Sequence, residues 1–76
     1  MKATYVKPVG ETASGARIVD VIIVADETPG NLPTTGAGIE GLDDTDVFAP
    51  LSVLCVVESG GSKLFVANAS GVFKPQ

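Results

Sequence analysis

The residues of this chain that could do chemistry are few, and their types exclude most reactions. Among 76 residues there is no histidine and one cysteine, Cys55. A serine nucleophile needs a base such as histidine, and a reactive thiol needs nearby positive charge or a helix N-terminus that lowers its pKa. Cys55 is flanked by Leu54 and Val56, so we expect a small buried hydrophobic residue there. Because no acid–base pair can be assembled from the sequence, we predict that the chain is not an enzyme.

Most of the acidic residues lie in one stretch of the chain, between residues 26 and 46. They are Asp26, Glu27, Glu40, Asp43, Asp44 and Asp46. Carboxylates can bind calcium, but the EF-hand spacing with its central glycine and terminal glutamate is absent. We expect solvated side chains on an exposed loop, with Asp43 or Asp44 capping a short helix. The sequence therefore predicts no metal ion and no other cofactor.

Two short motifs in the same stretch match signals that need a different context. Leu32–Gly36 (LPTTG) matches the LPxTG pattern of cell-wall sorting signals, which are followed by an apolar segment and a basic tail. Gly36–Gly41 (GAGIEG) matches G-x-G-x-x-G, which binds dinucleotides only directly after a strand and at the start of a helix. Neither context is present, so we interpret both motifs as flexible turn sequence.

Charge and hydropathy exclude further classes of partner. The net charge is −4, and the five basic residues are scattered along the chain, whereas nucleic-acid binding needs a basic patch. The longest apolar runs, Val21–Ala25 and Val53–Val57, are too short to cross a bilayer, and the N-terminus lacks the apolar region of a signal peptide. We therefore expect no nucleic acid, membrane or small-molecule substrate, and a cytoplasmic place of synthesis.

The elements that would position these residues are strands. Residues 3–6 form a short first strand, and residues 17–25 (RIVDVIIVA) form the clearest strand, because they are β-branched and free of glycine and proline. Both faces of the second strand are apolar, which predicts a central strand covered on both sides. Residues 51–58 and 63–68, joined by a Ser-Gly-Gly-Ser turn, and a brief strand at 72–73 predict a C-terminal β-meander.

Residues 26–50 interrupt this strand pattern with prolines, glycines and acids. A connection this long is unusual in a compact domain and is often functional. We expect an extended loop or arm, with a helical turn near residues 42–48. The predicted fold is a single all-β domain over residues 1–76: a small antiparallel sheet or partly open barrel with the meander and this long loop. A core this small, without a disulfide, also predicts association into a homo-oligomer.

The C-terminal half resembles a known class of proteins. The segments Ala49–Val57, Lys63–Asn68 and Ser70–Lys74 are similar in their order of strands and turns to small virion proteins from the head-gene region of tailed phages and prophages of Gram-positive bacteria. The stretch Leu32–Leu42 resembles loops that precede this pattern in those proteins. The resemblance covers about half of the chain.

This resemblance implies a non-enzymatic structural protein of a phage virion, most directly a capsid auxiliary or decoration protein that binds and stabilises the capsid lattice. Its partners would be the major capsid protein or another virion protein. Its location would be the virion, and the host bacterial cytoplasm during assembly. Under this hypothesis the 26–50 arm crosses a subunit boundary, and its large apolar residues anchor it on the partner. The expected partner-binding residues are Leu32, Ile39, Leu42 and Phe48.

The alternative is a small soluble β-barrel adaptor domain that binds a protein or peptide partner. Such a domain needs an aromatic-lined groove, and the chain offers only Tyr5, Phe48, Phe65 and Phe73 as its walls. The two hypotheses predict different structures around the long loop: an arm that orders on an assembly, or an ordered loop beside a groove.

Overall fold

The computed structural model describes all 76 residues, which form one open sheet without any helix. Its strands are β1 (Lys2–Glu11), β2 (Arg17–Ala25), β3 (Val47–Phe48), β4 (Val53–Glu58), β5 (Gly61–Ala67) and β6 (Phe73–Pro75). The strand order is β1-β2-β4-β5-β6, and β3 pairs with β2. The predicted all-β class and the C-terminal meander, here β4-β5-β6, are confirmed. The sheet does not close into a barrel.

β2 lies at the centre of the sheet, and its bounds match the prediction. It pairs antiparallel with β1 on one side and parallel with both β3 and β4 on the other. The parallel pairing was not predicted, since it requires the chain to return across the sheet between β2 and β4. The expected cover on both faces of β2 is present on one face only, because Val21 and Ile23 are fully buried while Ile22 between them is 41% exposed.

β1 is longer than predicted and continues through Pro8 and Gly10 to Glu11. Two register shifts in its pairing with β2, between Ala3 and Tyr5 and between Pro8 and Gly10, accommodate this length. Bulges and a proline are common on strands whose second side faces solvent, because no partner strand there requires regular hydrogen bonding. β1 is therefore an edge strand that its own irregularity protects.

Residues 26–52, the crossover segment, cross one face of the sheet, called here the inner face, and rejoin the sheet at β3. The side chains that form the core point into this layer: Val19, Val21, Ile23, Ala25, Ile39, Phe48, Leu54, Val56, Phe65, Ala67 and Phe73. Leu32 and Leu42 are partly buried against it. Residues 42–48 contain no helical turn, contrary to expectation. The crossover segment is thus one layer of the protein's core, packed on its own sheet.

The crossover segment is held to the sheet at three places. Near its start, the Thr28 amide donates a 3.1 Å hydrogen bond to the Glu58 carboxylate at the end of β4. At its middle, the Ala3 amide donates to the Glu40 carbonyl oxygen at 2.9 Å. Near its end, Asp46 forms an ion pair with Arg17 at the start of β2. An arm that stays free until a partner arrives would not make these contacts.

β3 and β4 lie along the same side of β2 and are separated by an irregular gap at residues 49–52. The Ser52 hydroxyl fills the missing position in the hydrogen-bond ladder: it donates to the Val19 carbonyl oxygen and accepts from the Val21 amide, both at 3.3 Å. Leu51 has a φ of 71° and is 76% exposed. A positive φ is strained for a residue with a branched side chain, so the gap combines a satisfied buried serine with a strained surface leucine.

One glycine closes the meander onto the crossover segment. Gly71 has a φ of 76°, and a β-carbon at this position would lie 2.5 Å from the Phe48 carbonyl oxygen. The close approach lets Phe73 reach the core, where its ring lies 4.8 Å from that of Phe48. Gly71 is therefore required both for its backbone conformation and for the space around it.

Candidate functional site

The face of the sheet opposite the crossover segment, the outer face, is apolar and carries no covering layer. Alternate residues of the strands point to this face. The outer-face patch consists of Tyr5, Ile18, Ile22, Val24, Val53, Cys55, Val57, Leu64 and Val66. The patch extends over four neighbouring strands, β1, β2, β4 and β5, and so forms one continuous surface.

The strand register aligns the patch residues in rows across the sheet. One row runs Tyr5, Ile22, Val53 and Val66, and the adjacent row runs Val24, Cys55 and Leu64. Side chains directly opposite one another on neighbouring strands lie within contact distance. The two rows contain no charged residue, whereas Asp20 and its pair Lys7 lie between Ile18 and the first row.

Several patch residues remain open to solvent. Tyr5, Ile22, Val57 and Leu64 are between 41% and 52% exposed. Single exposed apolar residues are normal on a protein surface. The largest contiguous apolar patch of a monomeric protein is often functional. On a chain of this size, the patch occupies most of one face of the sheet.

The ionisable residues around the patch are mixed in sign. Lys2 pairs with Val24, Lys74 pairs with Val66, and Lys7 pairs with Asp20. Glu40 of the crossover segment pairs with Lys2, and Asp26 lines the same surface depression as Lys2 and Val24. The outer face thus has an apolar centre that is bordered by both lysines and acids.

Cys55 lies in the middle of the outer-face patch and is half-buried. The sequence predicted a buried hydrophobic residue, and the structure places the thiol on the face that no part of the chain covers. Its row neighbours are Val24 and Leu64. As the single cysteine of the chain, it is a native probe of whether this face is open or covered.

On the crossover side, Asp46 is a buried carboxylate and not the solvated loop acid that the sequence predicted. Its side chain accepts a 3.0 Å hydrogen bond from Arg17 Nε, a second from Arg17 Nη2, and a 2.9 Å bond from the Asp43 amide. The Gly36 amide also donates to the Asp46 carbonyl oxygen at 2.8 Å. Residue 46 thus connects β2 to two separate turns of the crossover segment.

These contacts set the ionisation of the pair. The hydrogen bond from Arg17 lowers the pKa of Asp46, and burial opposes this effect without overcoming it. The same hydrogen bond raises the pKa of Arg17. Both shifts favour the charged forms of Asp46 and Arg17. The pair stabilises the fold, because a bidentate arginine–carboxylate contact is geometrically specific and stronger than a neutral hydrogen bond.

Gly36, interpreted from the sequence as part of a flexible glycine-rich turn, is in fact buried in a tight approach. A β-carbon there would lie 2.3 Å from the Asp43 carbonyl oxygen and 2.8 Å from the Leu42 β-carbon. The G-x-G-x-x-G pattern therefore contains a glycine that packing requires. Its position in the middle of the crossover segment provides neither the preceding strand nor the following helix of a dinucleotide site.

The four residues expected to anchor a partner lie against the chain's own sheet. Ile39 and Phe48 are each 3% exposed within the core, and Leu32 and Leu42 pack on it while partly buried. They complete the inner layer and would reach a partner only if the crossover segment opened. The exposed apolar residues of the outer face were not predicted as a site, although the two apolar faces of residues 17–25 contained the signal.

The rest of the surface offers no enclosed chamber. Two open surface depressions of about 430 and 410 Å³ are each lined by six residues, only two of them hydrophobic in each case. No group of three or more His, Cys, Asp or Glu side chains is placed to share a metal ion. The structure contains no helix that is long and apolar enough to cross a membrane.

Comparison with known proteins adds nothing to this geometry: no family model, curated protein or solved structure matches the chain.

Proposed function

We propose that this chain is a non-enzymatic structural protein that assembles with other proteins through its outer face. The observation that supports this is the outer-face patch, an apolar surface that the fold leaves uncovered. The crossover segment is the one long loop of the chain, and it covers the inner face only. A sheet with a second apolar face favours a second layer; residues 1–76 supply none on this side, and we assign the layer to another protein.

We further propose that the assembly is a phage virion and that the chain is a capsid auxiliary or decoration protein. The support for this finer proposal is the resemblance of segments 49–57, 63–68 and 70–74. These segments form most of β4, β5 and β6, and β4 and β5 supply more than half of the outer-face patch. On a capsid lattice, many equivalent sites would compensate for a small contact area in each copy.

The edges of the sheet are poor alternatives for docking. β1 contains two register shifts and Pro8, and it carries Lys2 and Lys7. β6 has three residues and ends at Pro75. Bulges, prolines, lysines and short length are the features by which natural sheets prevent strand addition at an edge. Main-chain pairing of a partner strand with an edge of the sheet is therefore less favoured than docking through the outer face.

The adaptor-domain alternative predicts an ordered loop beside an aromatic-lined groove, and the structure has the ordered loop without the groove. Phe48, Phe65 and Phe73 are buried in the core, and Tyr5 alone remains exposed. An aromatic-lined peptide groove cannot be built from one exposed ring. The sheet is open, so it has no barrel mouth in which a ligand could sit.

The test is cosedimentation of the purified protein with assembled capsids of the phage or prophage that encodes it. The variant Leu64→Glu places a charge in the outer-face patch, and Ala37→Glu places the same charge on the exposed surface of the crossover segment. We expect wild type and Ala37→Glu to bind, and Leu64→Glu to bind at least about tenfold more weakly, because a buried unpaired charge is costly. Equal binding of both variants would refute docking through the outer face.

A further inference from the structure

The outer face suits one occupant in particular. We propose that it binds the outer face of a second copy of this chain, so that two sheets form a two-fold symmetric sandwich with Cys55 of both copies close to the axis. This inference rests on the proposed function: the second copy covers the outer face in the free protein, and the two copies must separate before the same face docks on a capsid.

The first argument is shape. Two sheets bury apolar faces by packing about 10 Å apart with their strands within about 30° of each other. Such packing needs rows of branched side chains without charges between them. The rows through Ile22 and Val53, and through Val24, Cys55 and Leu64, meet this condition. A two-fold contact also requires a self-complementary surface, and an apolar sheet centre without charged residues can pack against its own copy.

The second argument is area. Four strands spaced about 4.8 Å apart, with outer-face residues along about 20 Å of β2, give an apolar patch of roughly 400 Å². Two copies would therefore bury about 800 Å² together, which is the size of a weak, reversible contact. We therefore expect a dimer with a dissociation constant in the micromolar range or above.

β2 carries apolar residues on both faces of the strand. A strand with two apolar faces is typical of a position covered on both sides, yet the chain covers only the face of Val19, Val21 and Ile23. The apposed outer face of a second copy would bury Ile22 in the same way. The dimer thus supplies the layer that the sequence of β2 predicts.

The rim charges make the second copy distinguishable from an acidic partner. The strands of the outer face carry Lys2, Lys7, Lys74 and Asp20, and Glu40 pairs with Lys2 at the edge of β1. Salt would screen the charges around the patch and leave the apolar contact intact. Association of two copies should therefore be as tight or tighter at high salt, whereas docking on an acidic surface should weaken.

The experiment combines solution mass with the reactivity of Cys55. Sedimentation equilibrium from about 1 μM to about 1 mM should show the mass rise from 7.7 kDa to twice that value, at both low and high salt. Alkylation of Cys55 by iodoacetamide should slow over the same concentration range, since the thiol lies in the interface. We expect Leu64→Glu to weaken the association at least about tenfold, and Ala37→Glu to leave it unchanged.

The outcomes separate this inference from the proposed function. A chain that remains monomeric at the highest concentration, a higher closed oligomer, or a dimer in which Cys55 reacts at the monomer rate would each overturn the sandwich. A monomer whose Cys55 becomes protected on capsids would overturn the dimer and support the proposed function. A dimer in which Cys55 is protected and which does not bind capsids would support the sandwich and overturn the virion assignment.

Discussion

Asp46 allows the most direct test of how the crossover segment is held. The substitution Asp46→Asn preserves the shape of the side chain and removes its charge. In the wild type the carboxylate accepts two hydrogen bonds from Arg17 and one from the Asp43 amide. An amide has one accepting oxygen and would place its own NH₂ group against one set of these donors. The change therefore removes at least one charge-assisted bond and leaves a repulsive contact inside the fold.

The expected loss of stability is about 2 kcal/mol. A hydrogen bond to a charged group contributes about 1.5–3 kcal/mol, and because the Arg17 side chain is 37% exposed, water can partly replace what it loses. For a domain of this size, 1 kcal/mol corresponds to about 4–8 °C in melting temperature, so Tm should fall by about 8–16 °C. Urea unfolding with an unchanged m-value would measure the difference as a lower midpoint.

The matched control is Asp44→Asn, two residues earlier on the same turn, where the aspartate is exposed and makes no side-chain hydrogen bond or ion pair. It should change the free energy of unfolding by less than about 0.5 kcal/mol. If Asp46→Asn and Asp44→Asn unfold at the same urea concentration, the buried pair does not hold the crossover segment, and the reasoning from its geometry is wrong.

The same pair predicts a dependence on pH with a definite sign. The folded-state pKa of Asp46 is lowered, so its contribution is fully present above the unfolded value of about 3.9 and is lost as the pH falls through the folded value. Wild type should therefore lose stability below about pH 4, and Asp46→Asn should lose less over that range. Parallel curves for the two proteins would contradict the assignment.

Two further substitutions test the gap between β3 and β4. Ser52→Ala leaves the Val21 amide without its hydroxyl partner and removes a donor to the Val19 carbonyl oxygen. The free energy of unfolding should therefore fall by about 1–3 kcal/mol. A fall below about 0.5 kcal/mol, measured by thermal unfolding, would show that the strand pairing does not need the hydroxyl. Leu51→Asn should stabilise the protein by about 0.5–1 kcal/mol, because asparagine tolerates the positive φ of this exposed position, and a lower Tm would argue against strain at residue 51.

The features that the sequence predicts well are those with a local signal. The bounds of β2 follow from its unbroken β-branched run, and the β4–β5 hairpin follows from the Ser-Gly-Gly-Ser turn between two apolar segments. Successive side chains on these strands point to opposite faces of the sheet. Once the inner face is identified, this alternation tells the buried residues from the outer-face residues. The all-β class needed no information beyond residues close in the chain.

The features that the sequence did not predict depend on contacts between distant residues. Asp46 stands beside acids that are exposed, and only Arg17, 29 positions away, distinguishes it from them. Ile39 and Phe48 were interpreted as anchors for a partner because a polar stretch surrounds them, whereas the nearest apolar surface was the chain's own sheet. The outer-face patch was not predicted for a related reason. Two apolar faces on β2 predict that both faces are buried, but they do not show which face the chain buries itself.

The parallel pairing of β2 with β4 has a consequence for the order in which the protein folds. The β4–β5 hairpin closes over a two-residue connection between Glu58 and Gly61, while β2 and β4 meet only after residues 26–52 have been closed into a loop. Loop closure of this length costs about 3 kcal/mol of chain entropy, and nonlocal pairing of this kind slows folding. The meander should therefore form before the crossover segment packs on its inner face. During that interval both faces of the meander are open, and rapid dilution from denaturant at low protein concentration should give the highest yield of folded chain.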